Sequence, residues 1–326
     1  MNESQLENQE GLTRRGNGRP RMPGLRGICG MLLAFACLLP LVPANASSIL
    51  LIKSADAPIY REVEVAFRAE VLRLCATSDD CPQVASILAQ DLANESIQDH
   101  DLLVFVGQQP KSHANSLTAT LPQLHLLVFR DEYEKRAPCC DRTSAIYIEQ
   151  PLVRQLRFIR FLLPELRRIA VLAGPQSVSR TTELLSLAKG MGLEIELRRV
   201  ESQRDIGPML HQLRHEVDIL LALPDPAIYN RDTLSSILLS TYRNRIPVIG
   251  FSKGLVRAGA LAAIHSSPAT IGTEAGGKAL RMLRGAHPAS AYPEQAEVTL
   301  NRRVARSLHL QLPTDNALRA RWEENR

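Results

Sequence analysis

The chain has 326 residues, 45% apolar and 22% charged, an ordinary globular balance that excludes a long disordered protein or a collagen-like fibre. Aromatic residues make up 4%, too few for stacking platforms on single-stranded nucleic acid. The formal charge is +5, but residues 1–46 hold five arginines and three glutamates; the 34 basic and 31 acidic groups beyond them leave a bias of +3 that implies no polyanionic partner.

In chain order, the basic stretch ending at Arg26 is followed by ICGMLLAFACLLPLVP and then Ala44-Asn45-Ala46, the charged, apolar and small-residue regions of a secretory signal. Cleavage after Ala46 is expected, with either Met1 or Met22 as the start. The apolar run, interrupted by Pro40 and Pro43, falls short of the roughly 20 residues a spanning helix needs. Phe35 stands where an acylation signal before Cys37 would want a small residue. Two of the six cysteines leave with the signal, so Cys75, Cys81, Cys139 and Cys140 enter an oxidising compartment. A Cys75–Cys81 bridge closing a short loop is expected. Cys139-Cys140 forms a vicinal disulfide or bridges elsewhere, and neither pair has zinc-site spacing to a histidine.

From residue 48 onward, short Leu/Ile/Val runs alternate with stretches apolar at every third or fourth position, the pattern of strand–helix units around a parallel sheet. Strands are expected at SILLIKS (48–54), DLLVFVG (101–107), LHLLVF (124–129) and SAIYIEQ (144–150), the last at an edge or crossover. Pro58 starts a helix that buries Val63, Ala66, Phe67, Val71 and Leu74, and a second helix covers 151–163. The plan then repeats with RIAVLAG (168–174), a helix from Ser177 to Met191, EIELRRV (194–200), a helix over 203–214, DILLALP (218–224), PVIGF (247–251) and ALAAI (260–264). ILLIKS overlays IAVLAG, HDLLVFVG overlays VDILLALP and LHLLVF overlays IPVIGF at offsets of 117–122 residues, which implies a duplicated α/β lobe and a cleft between the copies.

In open parallel sheets, ligands sit outside the carboxyl ends of the strands, where helix N-termini present N–H groups. Those ends are Ser54-Ala55-Asp56, Gly107-Gln108-Gln109, Gly174-Pro175-Gln176-Ser177, Pro224-Asp225, Ser252-Lys253 and His265-Ser266-Ser267; the plain alternative for their serines and aspartates is helix capping.

Four blocks carry a family resemblance: QPLVRQLRFIRFLLPELRRIAVLAGPQS (150–177), LLALPDPAIYN (220–230), IPVIGFSKGLVRAGALAAIHSSPATIGTEAG (246–276) and VTLNRRVARSLHLQLP (298–313). In this order they resemble the ABC-transporter substrate-binding proteins of the type I periplasmic fold, in the branch of uncharacterised and aromatic-amino-acid-type binders. The resemblance implies two Rossmann-like lobes with parallel sheets, joined by crossing segments and closing like a clamshell on a small ligand. It places ligand contacts at Ser54, Ser177, Asp225, Ser252 and Ser266, to which the strand-end argument adds Gln108. The chain departs from the family at His265-Ser266-Ser267, where better-studied members carry an aromatic triplet such as Asp-Tyr-Tyr, and this argues against an aromatic-ring ligand.

The expected organisation is a signal over 1–46, lobes over 47–150 and 151–290, and a closing segment over 291–326. The expected function is that of a monomeric periplasmic solute receptor without cofactor, metal, nucleic acid or catalysis. Its permease and ATPase would be encoded separately. A membrane sensor as partner is the alternative role. The helix near Ser177 would offer N–H groups to a ligand carboxylate and Asp225 would accept from its ammonium, so a small polar, amino-acid-like zwitterion is the expected ligand.

Three motifs imitate other chemistry. Gly250-Phe251-Ser252-Lys253-Gly254 is a G-x-S-x-G after a strand, the context of a nucleophile elbow, with Glu274 and His309 following in triad order. A strand expected within eight residues of Ser252 leaves no room for the long helix an elbow needs, so capping is the expected role. Gly272 to Ala279 fits phosphate-loop spacing but ends in alanine where the metal-binding hydroxyl should be, and it reads as helix interior. His211 and His215 share a helix face without a third ligand.

Overall fold

The computed structural model describes residues 47–318 except 77–79, 108–120, 137–141 and 315, so the signal segment, Gln108 and Cys139-Cys140 lie outside the described residues. No helix among the described residues is long and apolar enough to cross a membrane.

The first sheet begins with β1 (Ser48–Lys53), α1 (Pro58–Cys75) and β2 (Gln83–Leu88). It continues with β3 (Leu102–Val106), β4 (Gln123–Val128), α2 (Arg130–Arg136) and β5 (Thr143–Tyr147). All pairings are parallel, in the order β2-β1-β3-β4-β5. The chain then crosses through α3 (Leu152–Leu162) to β6 (Arg168–Ala173), α4 (Thr181–Gly190), β7 (Glu194–Arg199), α5 (Ile206–Gln212) and β8 (Ile219–Leu221). Next come α6 (Leu234–Arg243), β9 (Val248–Gly250), α7 (Lys253–Ala258), β10 (Ala262–His265), α8 (Pro268–Leu283), β11 (Glu297–Leu300) and α9 (Arg302–Ser307). The second sheet runs β11-β10-β9-β8-β6-β7, parallel except for β11.

Leaving β11 aside, both sheets follow one winding, with β6 to β10 standing where β1 to β5 stand. The three segment pairs overlaid in the sequence fall on β1/β6, β3/β8 and β4/β9, so the repeat is structural.

Strand alternation gives each sheet two apolar faces. In β1, Ile49 and Leu51 pack with Val63, Phe67 and Val71 of α1, while Leu50 and Ile52 face Ala89, Leu92 and Phe105 on the other side. In the second sheet, Ile169 and Val171 pack beneath α3 and α4, and Ala170 and Leu172 beneath α5 and α6. Cys75 and Cys81 are bridged as expected.

The helix α8 belongs to neither face of the second sheet. It packs along α1, with Ile271, Ala275 and Ala279 in the first sheet's core, although its sequence lies in the span 151–290 expected to form the second lobe. The chain therefore crosses between sheets three times, at residues 148–151, 266–267 and 293–296. The glycines of the phosphate-loop look-alike sit inside α8, where Gly272 and Gly276 let the backbone of α1 approach. Lys278 points inward and donates to the carbonyls of Ala145 and Ala289. Burial lowers its ammonium to about 8.

Candidate functional site

The carboxyl ends of both sheets bring the expected residues into view, and most of them are already engaged. Asp225, just past β8 and 1% exposed, accepts from the backbone N–H groups of Gln176 (3.1 Å), Ser177 (3.0 Å) and Ala227 (3.0 Å), and from Ser177 Oγ (2.8 Å). Ser177 Oγ in turn accepts from Gly174 N (3.0 Å). The helix start expected to take a ligand carboxylate is thus occupied by a carboxylate of the chain itself. Asp225 and Ser177 clamp the loops after β6 and β8, so the carboxylate expected to accept from a ligand ammonium already accepts from four donors of the chain itself.

Ser266 sits where the chain crosses between the sheets. Its hydroxyl donates to the Gln295 carbonyl and accepts from Gln150 Nε2 (2.8 Å), joining the three crossing segments at one oxygen. Arg154 reinforces this point by donating to Gln150 Oε1 (2.6 Å) and the Pro293 carbonyl (2.9 Å), while Glu274 accepts from the N–H groups of Glu294 and Gln295. Ser252 caps α7 by accepting from Leu255 N, and α7 is six residues long, unlike an elbow helix. Among the described residues no hydrogen bond joins Ser252 to a histidine; Glu274, the acid of the triad order, is engaged at the crossings instead. Ser54 Oγ donates to the Val106 carbonyl beside Tyr60 and Gly107, bracing the ends of β1 and β3. His211 and His215 are exposed, and His215 Nε2 accepts from Arg214.

The groups that remain open were not among the expected ones. Glu149, two residues beyond β5, and Arg180, in the turn between β6 and α4, are each 4% exposed. Their nearest charged atoms are 3.9 Å apart across the two sheets. Glu149 Oε1 accepts from Arg130 N (2.9 Å), and Arg180 Nη2 donates to the Gln150 carbonyl (3.4 Å). Glu149 Oε2 and Arg180 Nε are buried without a hydrogen-bond partner, as is Gln176 Oε1 nearby in sequence. Burial raises the Glu149 carboxyl above its usual range, against the opposing pull of Arg180 and the Arg130 N–H. A buried charge held this incompletely is costly, about 1–3 kcal/mol for each unsatisfied group.

The bulge between Leu126 and Val128 shapes the rim. Leu127 adopts φ 58°, in the left-handed region, so the strand turns as it ends and Arg130 leaves it at the junction of the sheets. There Arg130 donates to Glu183 Oε2 of α4 (3.0 Å) and to the Tyr292 hydroxyl (2.8 Å). Behind it, Phe105, His125, Tyr133, Tyr147 and Tyr292 form a continuous row of ring contacts into the first sheet.

Two like-wound sheets joined by three crossings define a two-lobed α/β protein of the type I periplasmic binding fold. Residues 146–321 match the family model described as ABC transporter substrate binding protein, and the chain belongs to that family. Such proteins are generally extracytoplasmic, bind small molecules and work with separate permease and ATPase components. A "Tyrosine-binding protein" from Clostridioides difficile is 24% identical over 180 residues, covering 53% of this chain and 51% of that protein, so the chain spans about half the length of the curated relative it matches. Among solved structures, the ligand-free, open form of a substrate binding protein with adhesive properties from Clostridium difficile superposes with a TM-score of 0.69 at 15% identity, over 83% of this chain and 97% of that one. An ABC domain in complex with L-Trp from Streptococcus pneumonia gives 0.59 at 17% identity, over 84% and 97%.

Proposed function

We propose that this protein is the periplasmic solute-binding component of an ABC-type import system, exported by a signal cleaved after Ala46, and that it captures a small amino-acid-like zwitterion between its two sheets. The observation that carries this reading is the Glu149–Arg180 pair, with one acceptor and one donor left open in a nearly water-free setting. A ligand ammonium completes Glu149 Oε2 and a ligand carboxylate completes Arg180 Nε. Because the two residues stand on different sheets, a ligand touching both favours the approach of the sheets over their separation. The relatives that bear the names of tyrosine and L-Trp support the amino-acid class.

The test is calorimetry of the full chain against L-tyrosine, L-tryptophan, small and acidic amino acids, and analogues lacking either the amino or the carboxyl group. An intact zwitterion should bind, and either analogue should lose about 100-fold or more, because a buried charged group is left unpaired. Equal binding of the analogues, or no amino acid bound, overturns the reading. Binding by a monomer, and a neighbouring permease and ATPase rather than a sensor kinase in the genome, are the companion expectations.

A further inference from the structure

Two adjacent residues of the first sheet's rim grip two residues of the second. Arg130 Nη2 donates to Glu183 Oε2 (3.0 Å) in the first turn of α4, and Asp131 Oδ2 accepts from Ser179 Oγ in the turn that precedes α4. Arg130 is held in place for this contact by Tyr292, whose hydroxyl accepts from Nη1 (2.8 Å) and whose ring lies 5.8 Å from the guanidinium carbon, and by Asp131 Oδ1, 3.2 Å from Nε. The same residue's backbone N–H donates to Glu149 Oε1 (2.9 Å). One residue thus connects the carboxylate assigned to the ligand with the contact between sheets.

We propose that Arg130–Glu183 and Asp131–Ser179 form a clasp between the sheets, and that Arg130 is a positioning residue that ties the orientation of Glu149 to their approach. The role assigned to Glu149 rests on the function proposed above; the clasp itself does not. Both contacts exist only while the rims meet, so they add to the closed state alone and hold it together without a ligand. In the presence of ligand they slow release, and by favouring the ligand-free closed form they also slow capture, because entry needs the rims apart. The arrangement is a rim device rather than core packing: the Arg130 side chain is 23% exposed and that of Glu183 40%, so salt reaches and screens the pair. For a partly exposed pair the loss corresponds to roughly a two- to fivefold change in the ratio of closed to open forms.

The decisive measurements use the ligand-free full chain. Small-angle X-ray scattering is recorded at low salt and at about 1 M salt, where the screening length is ~3 Å, on the wild type, Glu183→Gln, Glu183→Asp and Ser179→Ala. Hydrogen exchange at the Arg130 amide is followed in parallel. The radius of gyration of the wild type should rise with salt. Glu183→Gln and Ser179→Ala should be expanded already at low salt, with faster exchange at Arg130 and an unchanged unfolding midpoint, and Glu183→Asp should restore most of the wild-type behaviour. A radius and an Arg130 exchange rate that are the same at both salts and in all four proteins overturn the clasp. The salt arm on the wild type decides the matter even where a variant folds poorly. Since no ligand enters these measurements, their failure is distinct from a failure to bind amino acids.

Discussion

Replacing Gly272 by alanine tests how the first sheet's helical cover is built. A Cβ at this position would lie 2.4 Å from the Val63 carbonyl oxygen, 2.9 Å from Ala66 Cβ and 3.2 Å from Phe67 N. The closest of these is more than ~1 Å inside ordinary contact, and it is backbone, so no side-chain rotation relieves it. Either α8 moves away from α1 or α1 bends. Movement would unseat Ile271, Ala275 and Ala279 from the cluster they share with Val63, Phe67 and Val71. Alanine is the better helix former by about 1 kcal/mol, whereas forced overpacking costs about 1–3 kcal/mol. With backbone as the obstacle the upper part of that range applies, leaving a net loss of about 1–2 kcal/mol. For a chain of this size that lowers Tm by roughly 2–8 °C. Gly277 supplies the control, since its nearest neighbour would be Leu74 Cδ1 at 3.7 Å. Gly277→Ala keeps the helix-forming gain without the clash and should raise Tm by roughly 2–4 °C. Thermal unfolding followed by circular dichroism separates the two variants by sign. A Gly272→Ala protein as stable as Gly277→Ala would refute the claim that close helix approach is what requires glycine.

Asp225→Asn should cost about 2–5 kcal/mol in denaturant unfolding, because an amide group then faces donors that the carboxylate now accepts; a variant of unchanged stability that has lost ligand affinity would return Asp225 to the binding site. His125 is buried against Phe105, and burial lowers its imidazole from 6.5 to about 4. Between those pH values the unfolded chain binds a proton that the folded chain refuses, so stability falls as pH drops, by about 1.4 kcal/mol per unit. His125→Phe should flatten that part of the stability–pH curve, and an unchanged slope in the variant would assign the acid sensitivity to other groups.

The winding of the sheets was legible because each central strand is an uninterrupted apolar run ended by a polar loop, as at Ile49–Ile52 and Ile169–Ala173. The strand β2, QVASIL, escaped notice because it is a half-exposed edge with no such run. No local signal told that α8 crosses back to the first sheet, since its apolar face suits either. Ser177 and Asp225 were correctly singled out as strand-end residues, but positions 48 apart in the chain give no hint that they satisfy each other. Serines and aspartates at strand ends are capping groups first. Glu149 did leave a trace: in AIYIEQP a carboxylate prolongs an apolar strand immediately before a crossover. Arg180 left none, because an arginine one turn into a helical stretch looks solvated until the fold buries it.

The polar contacts between the sheets divide into two kinds, and the division has mechanical meaning. At the crossings, Ser266, Gln150, Gln295, Arg154 and Glu274 bond mainly to backbone or to neutral amides of the other crossing segments. Lying at the crossings themselves, these contacts are the ones that a small rotation about the crossings displaces least. At the rim, Arg130, Asp131, Ser179 and Glu183 meet side chain to side chain from separate sheets, and a small rotation at the crossings parts them. Glu149 and Arg180 lie between the two sets, bonded to Arg130 on one side and to the Gln150 carbonyl on the other. On the function proposed above, a ligand at that pair would act on a lever, its contacts lying towards the rim and the crossings serving as the axis.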